Sequence, residues 1–458
     1  MRFTRNAFGQ AKTSMSNSFS SLNLPDFIIK TCNQVGLKSP TPVQAATIPQ
    51  ILAGRNIVAL SPTGSGKTAA FALPIISELS RDPFGIFCIV LSPTRELAEQ
   101  IAQQFTLFGN GMKISVASIL GGLSYNQQAS IIEKNPHILV ATPGRLLQHL
   151  QSSTKVSVEY LRFLVLDEVD RLFGEGFWND VEEIISYLPK ERQTLLYSAT
   201  LNSNIPVDKI LTKPGFQIKK VNFQQDENQK LSEDGYTFYW KPNADQVPQI
   251  KHMVTNVPAN LREIYLILLL EEIMKNNEYS QVLIFTNQCE TTNVIALILR
   301  RFKFKTAMLH SQMEQDDRLA AVYDFKAGKQ RILVATDVAA RGLDIPFVDE
   351  VIHFDPPTSP TTYVHRAGRT GRAGRSGRSI IFSSGKKDEK IIEEIQKVVG
   401  HEFEKLTINA KELTSKMKEV LNAKRDVKVI MYENHFGERE KRIKEINEIK
   451  NMYETQEK

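Results

Sequence analysis

The chain has 458 residues, 41% of them hydrophobic and 24% charged, the balance of a soluble globular protein too long for one compact core. Lys and Arg outnumber Asp and Glu by 57 to 51, a net charge of +6 that suits a polyanionic partner without requiring one. Cys32, Cys88 and Cys289 lie far apart with no His or Cys cluster beside them, which argues against a disulfide framework and a zinc site, and no apolar run approaches the ~18 residues of a membrane span.

Residues 1–25 carry Arg2, Arg5 and Lys12 and no acid before Asp26. Two readings stay open, a mitochondrial transit peptide or a polar frayed terminus, and the poor apolar spacing favours the second. Residues 1–18 are therefore read as a flexible N-terminus.

From there, short apolar runs alternate with helical patterns: IVAL (57–60), FCIVLS (87–92), ISVASIL (114–120), HILVAT (137–142), FLVLD (163–167) and TLLYSAT (194–200). Strands buried on both faces read this way, and their alternation with helices predicts a parallel α/β sheet over residues 19–218. The polar stretch KKVNFQQDENQKLSEDG then predicts a linker at 219–236. A second set, VLIFT (282–286), TAMLH (306–310), RILVAT (331–336), EVIHFD (350–355) and RSIIFS (378–383), predicts a second α/β domain over 237–400. Residues 401–458 hold no strand pattern and nearly balanced charge, which predicts a charged helical extension.

Within the first half, Ser61, Pro62, Thr63, Gly64, Ser65, Gly66, Lys67 and Thr68 (SPTGSGKT) follow a strand and open a helix, the setting of a phosphate-binding loop. Gly64 and Gly66 let backbone N–H groups turn onto phosphates, Lys67 reaches the β and γ oxygens, and the Thr68 hydroxyl can hold Mg²⁺. Ser61 stands where the general pattern has its first Gly. DEVD (167–170) ends the strand FLVL, where Asp167 would anchor Mg²⁺ through water and Glu168 would orient and deprotonate the attacking water. Alone, DEVD is a short acidic turn; beside a phosphate loop it is the other half of one ATP site.

In the second half, YVHRAGRTGRAGRSGR spaces Arg366, Arg369, Arg372, Arg375 and Arg378 three residues apart between strand-like runs. The pattern predicts an anion site, with Arg369 and Arg372 reaching the γ-phosphate as fingers when the halves close.

Taken in order, GLKSPTPVQ (36–44), SPTGSGKT, PTREL (93–97), GG (121–122), TPGR (142–145), DEVD, SAT (198–200), LIFTN (283–287), QDDR (315–318), ATDVAARGLD (335–344) and HRAGRTGR (365–372) resemble the DEAD-box RNA helicases of superfamily 2, from Phe19 to about Ser384. The resemblance implies two tandem RecA-like parallel-sheet domains and an RNA helicase that couples RNA-stimulated ATP hydrolysis to local duplex unwinding. It assigns Gln44 to pairing with the adenine, Phe19 to stacking on it, Asp344 to the ribose, and Ser198 and Thr200 to coupling. Pro93, Thr94, Arg95, Gly122, Thr142 and Arg145 would line the RNA path in the first domain, and Arg318 and Thr336 in the second. These residue types suit phosphate and 2′-OH contacts, so RNA binding is expected to be blind to sequence.

Two positions depart from the family pattern: Val169 replaces an Ala behind the metal site, where it could slow hydrolysis, and Ser61 replaces an Ala. A narrower resemblance, carried by DPFGIFCIVLSPTREL (82–97), LHSQMEQDDR (309–318) and ENHFGERE (433–440), is to nucleolar members that assist small-subunit ribosome assembly and rRNA processing. It implies a monomer working on pre-rRNA with assembly factors or an activating protein cofactor, in the nucleus and nucleolus; mitochondrion and cytoplasm are the alternative addresses. A low-turnover ATP-dependent RNA clamp and a DNA translocase remain as competing readings.

Overall fold

The computed structural model describes residues 18–62, 64–152, 156–174, 176–200, 207–211, 229–232, 236–242, 249–340, 345, 348–371, 376–408 and 413–433. The chain divides into two compact units, residues 1–247 and 248–458.

The first unit is built on β1 (Asn56–Leu60), β2 (Cys88–Leu91), β3 (Val116–Ile119), β4 (Ile138–Ala141), β5 (Phe163–Asp167), β6 (Gln193–Ser198), β7 (Gln229–Leu231) and β8 (Thr237–Trp240). They form one sheet in the order β3-β4-β2-β5-β6-β1-β8-β7, parallel throughout except for β7 against β8. Alternate residues feed two cores. Ile57, Ala59, Phe163 and Val165 enter the apolar cluster on one face, and Val58, Leu164 and Leu166 enter that on the other. Burial on both faces is why these strands read as unbroken apolar runs. The helix Lys67–Leu79 is anchored by Phe71, whose ring packs against Phe105 and Tyr197 at centroid distances of 6.0 and 5.4 Å. Because β1 to β6 are parallel, their carboxyl ends emerge along one edge of the sheet, where ligands bind in open α/β folds.

The second unit contains β9 (Ile250–Asn256), β10 (Val282–Thr286), β11 (Thr306–Leu309), β12 (Ile332–Thr336), β13 (Glu350–His353), β14 (Gly377–Ser383) and β15 (Glu404–Lys405). Its order is β11-β12-β10-β13-β14-β9-β15, and every pairing is parallel. The same alternation recurs on β12, where Ile332 and Val334 face one core and Leu333 and Ala335 the other.

Two expected boundaries change. Residues 229–231 of the expected linker form β7, and Thr237–Trp240, assigned above to the second domain, extends the first sheet by pairing with β1. Phe238, Tyr239 and Trp240 are each at most 6% exposed, so burial outweighs the polar sequence around them. The C-terminal extension also holds a strand, β15, on the edge of β9, followed by the helix Leu413–Glu433. That helix buries Val420, Ala423 and Val427 at i, i+3 and i+7. It is tied by Lys416 to Glu271 and by Lys424 to Glu263 on the helix Arg262–Asn276.

Candidate functional site

The phosphate loop leaves β1 at its carboxyl end. Ser61 N–H donates to the Ser198 carbonyl at the end of the neighbouring β6 (2.8 Å), which fixes the start of the loop. The Ser61 hydroxyl hydrogen-bonds that of Ser65, so the residue that departs from the family pattern closes the loop on itself. Gly64 and Gly66 have φ of +67° and +88°, conformations that glycine adopts without penalty. Gly66 leads directly into the helix Lys67–Leu79, whose N-terminus favours an anion. Lys67 is 7% exposed and donates to the Ser61 carbonyl at 3.2 Å, inside the loop it is expected to serve. Pro62, Ser65 and Thr68 are half-buried around it, whereas Thr63 lies outside the described residues.

Asp167 closes β5 and is 3% exposed. Burial pushes its carboxyl up to about 6 against the opposing pull of Lys67, with Glu168 and Asp170 adding to the upward push. A site crowded with carboxylates and starved of water is one that a divalent cation would relieve. Among the described residues no cluster of three or more His, Cys, Asp or Glu could hold a metal by itself. The donors present, the Asp167 carboxylate and the Thr68 hydroxyl, are oxygens, the ligand type that suits Mg²⁺.

Glu168 has φ +52° and pairs through Oε2 with Arg171 Nη1 at 2.9 Å, both side chains less than a tenth exposed. Asp170 makes the link to β6: its N–H donates to Ser198 Oγ (3.2 Å), and its Oδ2 accepts from Thr200 N–H (3.0 Å) and Thr200 Oγ1 (2.8 Å). Asp170 and Arg171 were not singled out in the sequence. Asp170 stands in the motif quoted and Arg171 directly after it, but only the adjacency of β5 to β6 shows what they touch. Val169 is 3% exposed and joins the apolar core with Leu166 and Leu172, which accommodates its extra methyls.

Gln44 sits in the first turn of the helix Pro42–Leu52, where its Oε1 accepts from Thr41 N–H (2.9 Å) and its Nε2 donates to the Gly66 carbonyl (3.0 Å). It is 1% exposed, and each end of its amide keeps one further hydrogen-bonding position. Phe19, which the resemblance assigns to stacking on the adenine, is 3% exposed and packs in the core with Leu22 and Leu24. Its large apolar ring gains more by burial beside the short helix Phe19–Leu22 than on the surface.

The RNA candidates of the first unit occupy the other half of the same edge. Pro93, Thr94 and Arg95 follow β2, Gly122 follows β3, and Thr142 and Arg145 follow β4. Thr94 Oγ1 caps the helix Arg95–Phe108 by accepting from Leu97 N–H (3.3 Å). Thr142 Oγ1 accepts from Gly121 N–H (3.4 Å), and Arg145 donates to the Leu123 carbonyl (2.9 Å). The Arg95 guanidinium covers the glycine turn so closely that a Cβ on Gly122, at φ +81°, would fall 2.1 Å from its Nη1.

In the second unit, Thr336 ends β12 with its hydroxyl buried and without a hydrogen-bond partner, and Arg318 donates to the Ala339 carbonyl at 3.5 Å. The five-arginine array is not uniform. Arg366 is 1% exposed; it forks onto Asp337 at 2.7 and 2.6 Å, reaches the Asp355 carbonyl and Asn287, and lies 5.1 Å over the Phe285 ring. Arg378 pairs with Glu350, whose carboxyl burial pushes up to about 7 against that pull. Arg366 is thus a counterion inside the fold, and Arg378, a third exposed, pairs with a carboxylate on the neighbouring strand β13. Arg369 is half-buried at the end of the helix Pro360–Ala367; Asp344, Arg372 and Arg375 lie outside the described residues.

The DEAD/DEAH box helicase family matches residues 41–206, and the helicase conserved C-terminal domain matches residues 265–374. The chain is 40% identical over 439 residues to the "Probable ATP-dependent RNA helicase DDX49" of Homo sapiens, covering 95% of this chain and 86% of that protein. It is 39% identical over 360 residues to the "ATP-dependent rRNA helicase rrp3" of Sclerotinia sclerotiorum, covering 79% and 70%. Among solved structures it is similar to S. cerevisiae Dbp5 bound to RNA and ADP BeF3, with a TM-score of 0.71 and 27% identity over 89% of this chain and all of that one.

Proposed function

The chain belongs to the DEAD/DEAH box helicase family and is an ATP-dependent RNA helicase, and from that premise we propose how its residues divide the work and which RNA it serves. The observation that carries the division is the strand order of the first sheet. The carboxyl ends of β5, β6 and β1 bear Asp167, Glu168, Asp170, Ser198, Thr200 and the loop 61–68, while those of β3, β4 and β2 bear the glycine turn, Thr142, Arg145, Thr94 and Arg95. One half of the edge suits ATP and the other suits an RNA backbone.

Lys67 and the loop amides hold the phosphates, Gln44 meets the adenine, and Glu168 orients and deprotonates the attacking water. Thr68 and Asp167 would hold Mg²⁺, which supplies charge neutralisation at the phosphates when bound. Asp170, Ser198 and Thr200 tie the carboxylate turn to β6. From the second domain Arg369 and Arg372 serve as fingers, Asp344 meets the ribose, and Arg318 and Thr336 extend the RNA path.

The rrp3 relative is an rRNA helicase by name, which favours ribosomal RNA as substrate; the resemblance carried by residues 82–97, 309–318 and 433–440 favours its precursor form, assembly factors or an activating protein as partners and a nuclear, nucleolar setting. Steady-state ATPase with RNA and with matched DNA, alongside Glu168→Gln, tests the assignment. RNA-specific stimulation abolished by Glu168→Gln is the expected result; full turnover in Glu168→Gln removes Glu168 as the base, and equal stimulation by DNA removes the RNA preference. Cross-linking in cells tests the substrate: recovery of messenger or mitochondrial RNA in place of pre-rRNA would overturn it.

A further inference from the structure

We infer that Arg171 is a positioning residue for hydrolysis: its guanidinium holds the Glu168 carboxylate in a fixed rotamer. The inference rests on the reading of Glu168 as base.

Three carboxylates, Asp167, Glu168 and Asp170, are each at most 7% exposed at the end of β5 and the turn beyond it. Asp170 has its own donors in Thr200 N–H, Thr200 Oγ1 and Arg171 N–H. The cation on Glu168 is Arg171, 2.9 Å from Oε2 and itself only 7% exposed. A base must lie within hydrogen-bond reach of the proton it takes, which a carboxylate free to change rotamer does not ensure.

The backbone makes the pair rigid. Glu168 sits in the left-handed region at φ +52°, and its carbonyl accepts from Arg171 N–H (2.9 Å) and Leu172 N–H (3.0 Å), starting the short helix Val169–Gly174. That turn places residue 171 on the same side as residue 168, one helical step away. Leu172 and Val169 anchor it in the core. The guanidinium thus reaches Glu168 Oε2 through Nη1 from a turn that cannot easily slide.

Arg171→Met and Arg171→Lys in the full chain, with Glu168→Gln as the reference, test this by steady-state ATPase at saturating RNA together with ATP KM and RNA half-stimulation. Arg171→Met should lower kcat about 10- to 100-fold, the scale of a small misplacement of a reacting group, with both binding parameters within about two-fold. Arg171→Lys, which keeps the charge, should recover a large part of kcat. Arg171→Met with normal kcat while Glu168→Gln is inactive would overturn the inference and leave the base assignment standing. Equal losses of kcat and of both binding parameters, unrelieved by Arg171→Lys, would show a structural role only and overturn it too. Full turnover in Glu168→Gln strikes the base assignment itself.

Discussion

Gly66→Ala is the substitution whose cost the structure specifies most closely. A Cβ there would fall 2.4 Å from Gln44 Nε2, and the backbone at φ +88° lies in the left-handed region. The backbone strain alone is about 1–2 kcal/mol. Gln44 must also move, losing its hydrogen bond to the Gly66 carbonyl, about 1 kcal/mol, and its hold on Thr41 N–H, about another 1 kcal/mol. The sum is about 3–4 kcal/mol. Gln44→Ala should cost about 2 kcal/mol by itself, because it loses the same two contacts without the strain. In that background the added Cβ meets only Thr41 Oγ1, at 3.2 Å, a contact a small shift relieves, so little beyond the strain remains and the double variant should fall short of additivity by about 2 kcal/mol. Urea unfolding followed by Trp fluorescence is suited to this, since Trp178 and Trp240, the two tryptophans of the chain, both lie in the first unit. ATP affinity should weaken in all three variants. Additivity within about 0.5 kcal/mol would refute the reasoning, because it would mean that Gln44 and the loop glycine do not bear on each other.

Gly122→Ala, strained by about 1–2 kcal/mol at φ +81° and crowding Arg95, should raise the RNA concentration for half-maximal ATPase about ten-fold while ATP KM stays unchanged, as titrations of each ligand would show. Val420→Ala with Val427→Ala removes four buried methyl groups, about 3 kcal/mol. It should lower the melting of the second unit by about 6–12 °C in far-UV circular dichroism and leave the Trp transition of the first unit in place. His252 is depressed from 6.5 to about 4, chiefly by burial and then by His401, so its neutral form belongs to the folded state. Its contribution is complete above pH 6.5 and is lost as pH falls toward about 4; His252→Gln should make the fall in stability of the second unit across that window shallower in acid titrations, the remainder belonging to His310 and His353, which burial also depresses.

What the sequence could convey depended on whether a residue's role is local. β1, β5, β10 and β12 were legible because burial on both faces leaves a continuous apolar run. β9 was not, since its outward residues alternate in exposure and Lys251 and His252 interrupt the pattern. β8 was hidden behind a polar stretch, and β15 is two exposed residues whose only strand-like feature is their partner. The phosphate loop and DEVD were legible because each is a contiguous motif. The ties of Asp170 to Ser198 and Thr200, some thirty residues on, exist only because β5 and β6 are neighbours. The spacing of Arg366 suggested a ligand-facing cation, and nothing local told of Asp337, its partner on another element.

The strand order also gives a physical reason why ATP and RNA could act on each other within the first unit. β2 and β5 are adjacent and in register, Leu91 opposite Leu166, so Pro93–Arg95 and Asp167–Glu168 leave neighbouring strands at the same edge. On the far side of β5, register with β6 sets Asp167 opposite Tyr197, one residue before Ser198. Beyond that, Ser198 holds the start of the phosphate loop through Ser61. The RNA-side helix start and the phosphate loop are thus separated by three strand spacings of close-packed sheet, about 14 Å. A shift of the turn after β2 need move only the carboxylate turn beside it to be felt at the phosphates. The Asp170 contacts to Ser198 and Thr200 are where that movement would be transmitted or lost, and their removal should uncouple RNA stimulation from ATP turnover before it weakens the binding of either ligand.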